Sequence, residues 1–333
     1  MHRTLLATLT LCSLVALAPL TMAADSAAPS LVASFNPAAG ELPESVTADD
    51  DGNFYLSMGH TIRKLTPDGV LHDFAELTPT SGLTFATGVK IGPDGQLYAA
   101  VASFDPGDGA AAVWRISPSG AAVELAHLDD AGFPNDLAFD DHGDIFVTDP
   151  FLGRVWKIDA ATGGTSVWLD DPSLLGDPPA GYLLLHDFGA DGIAFDKRKD
   201  NLYIGNLDHG QIIRVPVERD GSAGTPSVWV DDPRLDGCDG IAFDQKGDLY
   251  VAVNGQDQVV SINPSGAITV VASGGALDGP SSLVFGQHGA DKKKLFISSF
   301  AVSSAFGTPL GHHSPPSPGL LSLPVKYHGA AIP

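Results

Sequence analysis

The sequence predicts an all-β fold: a six-bladed β-propeller, four antiparallel strands per blade, with the N-terminal strand closing the last blade. Three observations carry this. A short pattern of apolar strand, Asp/Gly turn and second apolar strand occurs six times, opening at Glu44, Thr87, Asn135, Asp191, Asp239 and Ser281. Further β-rich runs follow each copy at regular spacing. A strand without a partner precedes the first copy and supplies what the last one lacks.

The elements follow in order. Each copy reads as a tight β-hairpin, as in Asp239-Gly240-Ile241-Ala242-Phe243-Asp244, the turn through Gly247-Asp248, then Leu249-Tyr250. A third run follows at Thr61 to Leu65, Ala112 to Ile116, Arg154 to Ile158, Gln211 to Val215, Gln258 to Ile262 and Gly319 to Leu323. A fourth follows in five copies, at Leu71 to Leu77, Ala121 to Leu128, Thr165 to Leu169, Pro226 to Val230 and Ala267 to Ala272. The sixth copy has none, and Leu31 to Phe35 stands alone ahead of the first, so closing the circle removes both open edges.

Composition agrees. With 38 Gly, 25 Pro, 44% hydrophobic and 17% charged residues among 333, the chain suits a turn-rich packed fold, not a disordered or fibrous one. Forty acidic against 18 basic residues give a net charge of −22, which argues against nucleic acid and anionic membrane surfaces and leaves room for a cation. Residues 1–24 read as a secretory signal peptide: a basic start at Arg3, an apolar run from Leu5 to Leu20, and small residues to Ala24. The run contains Pro19 and is short for a membrane span. Residues 25–333 are then a single exported propeller domain, periplasmic or extracellular, without membrane insertion. Cys12 leaves with the signal, so Cys238 stands alone as a buried thiol and no disulfide framework is expected.

The innermost strand of each blade lines a central channel, and the residue opening each copy faces the axis at one mouth. That column is Glu44, Thr87, Asn135, Asp191, Asp239 and Ser281, and every member carries a side-chain oxygen. Carboxylates gathered on one axis repel unless a cation or protons neutralise them. An all-oxygen set suits Ca²⁺ first, Mg²⁺ or Mn²⁺ next, with Zn²⁺ a further option. The alternative is turn chemistry, in which Asp191 and Asp239 merely cap backbone amides; Glu and Asn in the same column weigh against it.

The loops after each second strand return to the same mouth. With the column they outline a substrate pocket of Thr87, His60, Phe133, Asp149, Tyr182, His186, Asn206, Asn254 and Ser281. His312 and His313 lie on the long segment from Phe300 to Pro318. The apolar connection 172–190 reads either as a lid or as a packed surface loop. The runs Asp49 to Gly52 and Asp140 to Gly143 are plain hairpin turns on the opposite face, and Trp114, Trp156, Trp168 and Trp229 are core.

The residues Pro43-Glu44, Pro134-Asn135-Asp136, Asp191-Gly192-Ile193 and Asp239-Gly240 resemble the senescence-marker-protein/gluconolactonase (regucalcin-like) propellers. The resemblance spans the chain after the signal. It implies a divalent metal, usually Ca²⁺, held by Glu44, Asn135, Asp191 and Asp239, and hydrolysis of a lactone or related ester with Asp239 as general base or nucleophile. Two positions depart from the family. Asp191 stands where many members have Asn, giving three carboxylates in the set, and Phe133 precedes Pro134 with no equivalent found for the sugar-binding Arg and Glu. A more apolar lactone or ester is therefore expected in place of an aldonolactone. A binding propeller with a structural divalent ion and a phosphotriesterase-like hydrolase are the competing readings.

Overall fold

The computed structural model describes residues 28–77, 84–177, 187–308 and 311–330. The signal-like segment lies outside these residues, as do residues 178–186 of the 172–190 connection, Tyr182 and His186 among them. Six separate four-stranded antiparallel sheets form the blades. Blade 1 comprises Pro43–Ala48, Phe54–Met58, Thr61–Leu65 and Leu71–Glu76. Blade 2 comprises Thr84–Ile91, Leu97–Ser103, Ala112–Ile116 and Ala122–His127. Blade 3 is Leu137–Phe139, Ile145–Asp149, Arg154–Ile158 and Thr165–Asp170. Blade 4 is Ala190–Phe195, Asn201–Asn206, Gln211–Pro216 and Ser227–Asp231. Blade 5 is Cys238–Phe243, Leu249–Val253, Gln258–Ile262 and Ile268–Ser273. Blade 6 is Pro280–Phe285, Lys294–Ser299 and Gly319–Pro324, completed by Ser30–Ser34. That last pairing is antiparallel, Ser30 opposite Ser322, so the ends of the chain close the circle as expected.

Burial explains the strand chemistry. Pro43–Ala48 and Phe54–Met58 are buried throughout, because neighbouring blades cover both faces. The outermost strands, such as Thr165–Asp170, are largely exposed. Six apolar cores fill the gaps between adjacent blades; that between blades 4 and 5, for example, holds Tyr203, Ile212, Ile241 and Val251. Trp114 and Trp156 are buried, and Trp168 and Trp229 pack at core margins. At the hairpin turns Asp49 accepts from the N–H groups of Asp51 and Asn53, and Asp140 from those of His142 and Asp144, as plain turns require. Among the described residues no helix is long and apolar enough to cross a membrane.

Candidate functional site

Where each innermost strand reaches the upper mouth, its pairing slips. The register shifts between Pro43 and Val46, Ala86 and Val89, Ala190 and Ile193, Cys238 and Ile241, and Pro280 and Ser282. In blade 3 the strand is assigned only from Leu137, after Asn135 and Asp136. A bulge re-aims the side chain at its apex, and here every apex is a member of the predicted column. In blades 2, 4 and 5 the residue after the apex is glycine. A Cβ on Gly88 would lie 2.5 Å from the carbonyl oxygen of Asn135, and Cβ atoms on Gly192 and Gly240 would press on the carbonyls of Asp239 and Ser281. Blades 2 and 3, 4 and 5, and 5 and 6 therefore meet in backbone contact at the ring.

Glu44, Thr87, Asn135, Asp239 and Ser281 line one small cavity of about 10 Å³, the room one water or ion needs, together with Ser45, Asp136, Gly240 and Ser282. Asp191 joins through a side-chain hydrogen bond with Asp239 and through its proximity to Glu44. Glu44 is 9% exposed, Asp191 2% and Asp239 8%. The hydroxyls are engaged elsewhere: Thr87 Oγ1 donates to the carbonyl of Pro134 at 2.7 Å, and Ser281 Oγ donates to that of Glu44. What remains facing the axis is three carboxylates and an amide. The carboxyls of Glu44, Asp191 and Asp239 are all held well above the ordinary carboxylate range. Burial is the main cause in each; the charge of Asp191 adds to it at Glu44, that of Asp239 at Asp191, and that of Glu44 at Asp239.

Two residues that sequence reasoning missed complete the centre. Asp136 is 5% exposed, adds a fourth carboxylate, and accepts from Lys90 Nζ at 3.1 Å. Lys90 was hidden because nothing in its local sequence says which carboxylate of the neighbouring blade it will meet. Asn254 is brought to the site, its Nδ2 donating to Asp239 Oδ2 at 3.1 Å. Asp149 and Asn206 are not: both are fully buried and bound to loops. Asp149 accepts from the N–H groups of Phe133 and Leu152 and from Trp156 Nε1, and Asn206 Nδ2 donates to the carbonyls of Ser173 and Leu175. His60 lies on the blade 1 rim, 3.7 Å from Glu76. Phe133 is buried in an aromatic cluster. The described ends of connection 172–190 are packed, with Leu174 and Phe188 buried.

A second group lies over blades 5 and 6, where ligand atoms of Asp257, Asp278 and His313 fall within 4.8 Å of one another. His312 Nδ1 stands 2.7 Å from Asp257 Oδ2. These carboxylates already have partners: Asp257 Oδ1 accepts from the N–H of Gly279, and Asp278 accepts from Ser304 Oγ and the N–H of Ser317. A larger cavity, about 320 Å³, is at the opposite mouth and is mostly apolar, lined by Phe139, Phe195, Phe243 and Phe285. Size does not mark the chemistry here.

The central ring passes a test that the second group does not. Glu44 Oε2 and Asp191 Oδ1 are buried without any hydrogen-bond partner, a costly state unless a further ligand satisfies them. A hard divalent cation bound through Glu44, Asn135, Asp191 and Asp239 fits that need.

Solved structures of other proteins share the fold. A gluconolactonase from Xanthomonas campestris aligns at 17% identity and TM-score 0.59, over 94% of this chain and 99% of that one. Regucalcin from Agrobacterium tumefaciens, described as a calcium-binding protein, aligns at 16% and 0.62, over 87% and 92%. A luciferin-regenerating enzyme aligns at 12% and 0.64, over 91% and 99%. At these identities the likeness speaks for the fold alone. Among curated proteins compared by sequence, none matches. The family model described as the SMP-30/gluconolactonase/LRE-like region matches residues 28–215 and 188–301, and the chain belongs to that family.

Proposed function

We propose that this protein is an exported hydrolase that opens a lactone or related ester, using a divalent metal in the central channel. Family membership supports a lactonase. The observation that carries metal dependence is the pair of orphaned oxygens, Glu44 Oε2 and Asp191 Oδ1, inside a buried carboxylate cluster. Calcium is the first choice of ion, on the all-oxygen donor set and on the calcium-binding description of the regucalcin neighbour. Export rests on the basic, apolar and small-residue order of residues 1–24.

Glu44, Asn135, Asp191 and Asp239 would hold the ion. When bound, it supplies Lewis-acid polarisation of the ester carbonyl and charge to offset the oxyanion. Asp239 supplies the second function, taking a proton from the attacking water or attacking the carbonyl carbon itself. Asn254 fixes the orientation of that carboxylate through its donated hydrogen bond. Asp191, close beside Asp239, adds the third carboxylate to the set that would hold the ion.

The test is hydrolysis of a panel of lactones and aryl esters by the purified protein in EDTA and after adding back Ca²⁺, Mg²⁺, Mn²⁺ or Zn²⁺. Turnover restored by one of these ions is expected. No turnover, together with a metal-dependent rise in melting temperature, would instead make this a binding propeller with a structural ion.

A further inference from the structure

The mouth above the carboxylate ring is divided into an aromatic half and a polar half. Over blades 2 to 4, Phe133 is the hub of five phenylalanines, with ring centroids 5.6 Å from Phe85, 4.9 Å from Phe104, 4.8 Å from Phe151 and 5.1 Å from Phe188. Three of them stand on the segments that lead into the ring. Phe85 is two residues before Thr87, Phe133 two before Asn135, and Phe188 three before Asp191. Two or three extended residues span roughly 7–10 Å, so this wall borders the ring. Phe104 and Phe151 come from the loops that follow the second strands of blades 2 and 3. Phe133 and Phe188 are buried, whereas Phe85, Phe104 and Phe151 keep part of their surface at the mouth.

The other apolar clusters lie between adjacent blades; this one joins inner-strand approaches and loops on the site face. Asp149 is spent holding it, since its carboxylate binds the N–H groups of Phe133 and Leu152. Across the mouth, over blades 5 and 6, the rim carries Asn254, Asp257, Asp278, His312 and His313.

We propose that the substrate is a lactone or ester bearing an aromatic or bulky apolar group, which lies on the wall of Phe85, Phe104, Phe133 and Phe151 while its carbonyl faces Asp239. This rests on the lactonase reading above and names its substrate class. Flat rings suit such a wall because aromatic faces and edges pack favourably in tilted and T-shaped pairs. A polyhydroxylated sugar lactone would press hydroxyls against phenylalanine with no partner to bond.

Two measurements separate this proposal from the reading beneath it. Saturation-transfer NMR with chroman, the ring ether of dihydrocoumarin without its carbonyl, reads the wall alone. The ratio of kcat/KM for dihydrocoumarin to that for glucono-δ-lactone, with Ca²⁺ present, reads the site. Chroman is expected to bind, and Phe104→Ser combined with Phe151→Ser to weaken it about tenfold, while Phe104→Leu retains most of the binding. Dihydrocoumarin is expected to be the better substrate by at least about tenfold. No chroman binding, binding indifferent to the double serine variant, or a preference for the sugar lactone overturns the proposal. Chroman binding at the wall without turnover of any lactone or ester overturns the lactonase reading, and with it the substrate named here.

Discussion

Lys90 Nζ lies 3.1 Å from Asp136 Oδ1, directly beneath the carboxylate ring. Lys90 stands three residues beyond the apex Thr87, and the matching channel positions in the other blades are Thr47, Ala138, Ala194, Ala242 and Val284. Among these six positions it is the sole cation. It borders the lower cavity while Asp136 borders the upper one, so their pair forms the floor between them. Its charge also acts on Glu44, pulling that carboxyl downward against burial and the neighbouring aspartates.

Replacing Lys90 by methionine keeps the length of the side chain and removes the charge. Four carboxylates would then share the axis with no resident cation, and a largely buried ion pair would lose one partner, at a cost of about 3 kcal/mol. The metal-free protein should melt several degrees lower. Divalent affinity should rise, because the incoming ion would meet one more uncompensated negative charge. Calorimetric titration with Ca²⁺ beside thermal unfolding in EDTA checks both, and weaker Ca²⁺ binding by a folded K90M protein would refute the counter-ion role.

Asp239→Asn removes a proton acceptor with little change in shape. Asn254 can still occupy the neighbouring position, so the fold should stand. We expect kcat/KM to fall by about 10²- to 10⁴-fold, the range that positioned acid–base groups contribute. Circular dichroism should be unchanged. Activity within a few-fold of the parent would remove Asp239 from the mechanism.

The blades, and the column that opens them, were legible because their signals are local. The Asp/Gly turns and apolar runs place the third and fourth strand of each blade within about one residue of its observed ends, as with Thr61–Leu65 and Gln258–Ile262; the innermost strands start up to three residues from the predicted opening, at Thr84 for Thr87 and at Leu137 for Asn135. Asp149 and Asn206 misled because a carboxylate or amide in a loop serves equally well to tie down backbone. The aromatic wall was hidden because its members come from separate segments joined only by the fold. Asp136 did have a sequence signal. Where the residue after the apex is not glycine, in Ser45, Asp136 and Ser282, the corresponding residue of the next strand is a hydroxyl: Ser57, Thr148 and Ser298. Where it is Gly88, Gly192 or Gly240, that residue is Ala100, Gly205 or Ala252. The hydroxyl accepts the N–H exposed by the bulge, as Thr148 does from Asp136 at 3.1 Å, and donates to the next blade, as Thr148 does to the carbonyl of Asp191.

This alternation sets up a paired test. Thr148→Val leaves the buried N–H of Asp136 without its side-chain acceptor and the carbonyl of Asp191 without its donor, costing about 1–3 kcal/mol. Gly192→Ala drives a Cβ into the carbonyl of Asp239 and must displace that strand. Both variants should lose Ca²⁺ affinity, the alanine more, because it moves a ring residue itself. Equal affinity in all three proteins, measured by titration calorimetry, would show that the bulges do not position the ligands.

Removing the metal should expose the charge conflict as a dependence on pH. The Glu44, Asp191 and Asp239 carboxyls are raised above ordinary values of 4.5, 3.8 and 3.8, first by burial and then by one another. A group whose folded value is raised keeps its proton in the folded chain at pH values where the unfolded chain has released it. Its contribution to stability is therefore complete below the ordinary carboxylate range and is lost as pH climbs through the folded value. A divalent ion favours the ionised forms and reverses that loss. The melting temperature with Ca²⁺ minus that with EDTA should accordingly widen as pH rises above the ordinary carboxylate range. Taking the difference at each pH cancels the exposed carboxylates, such as Asp159 and Asp220, whose values are lowered by local hydrogen bonds and which titrate alike in both samples. Glu44→Gln removes one of the three raised groups and one ligand, so the gap should shrink at high pH while the metal-free protein gains stability there. A gap that stays constant with pH would mean that these carboxyls do not meet the ion.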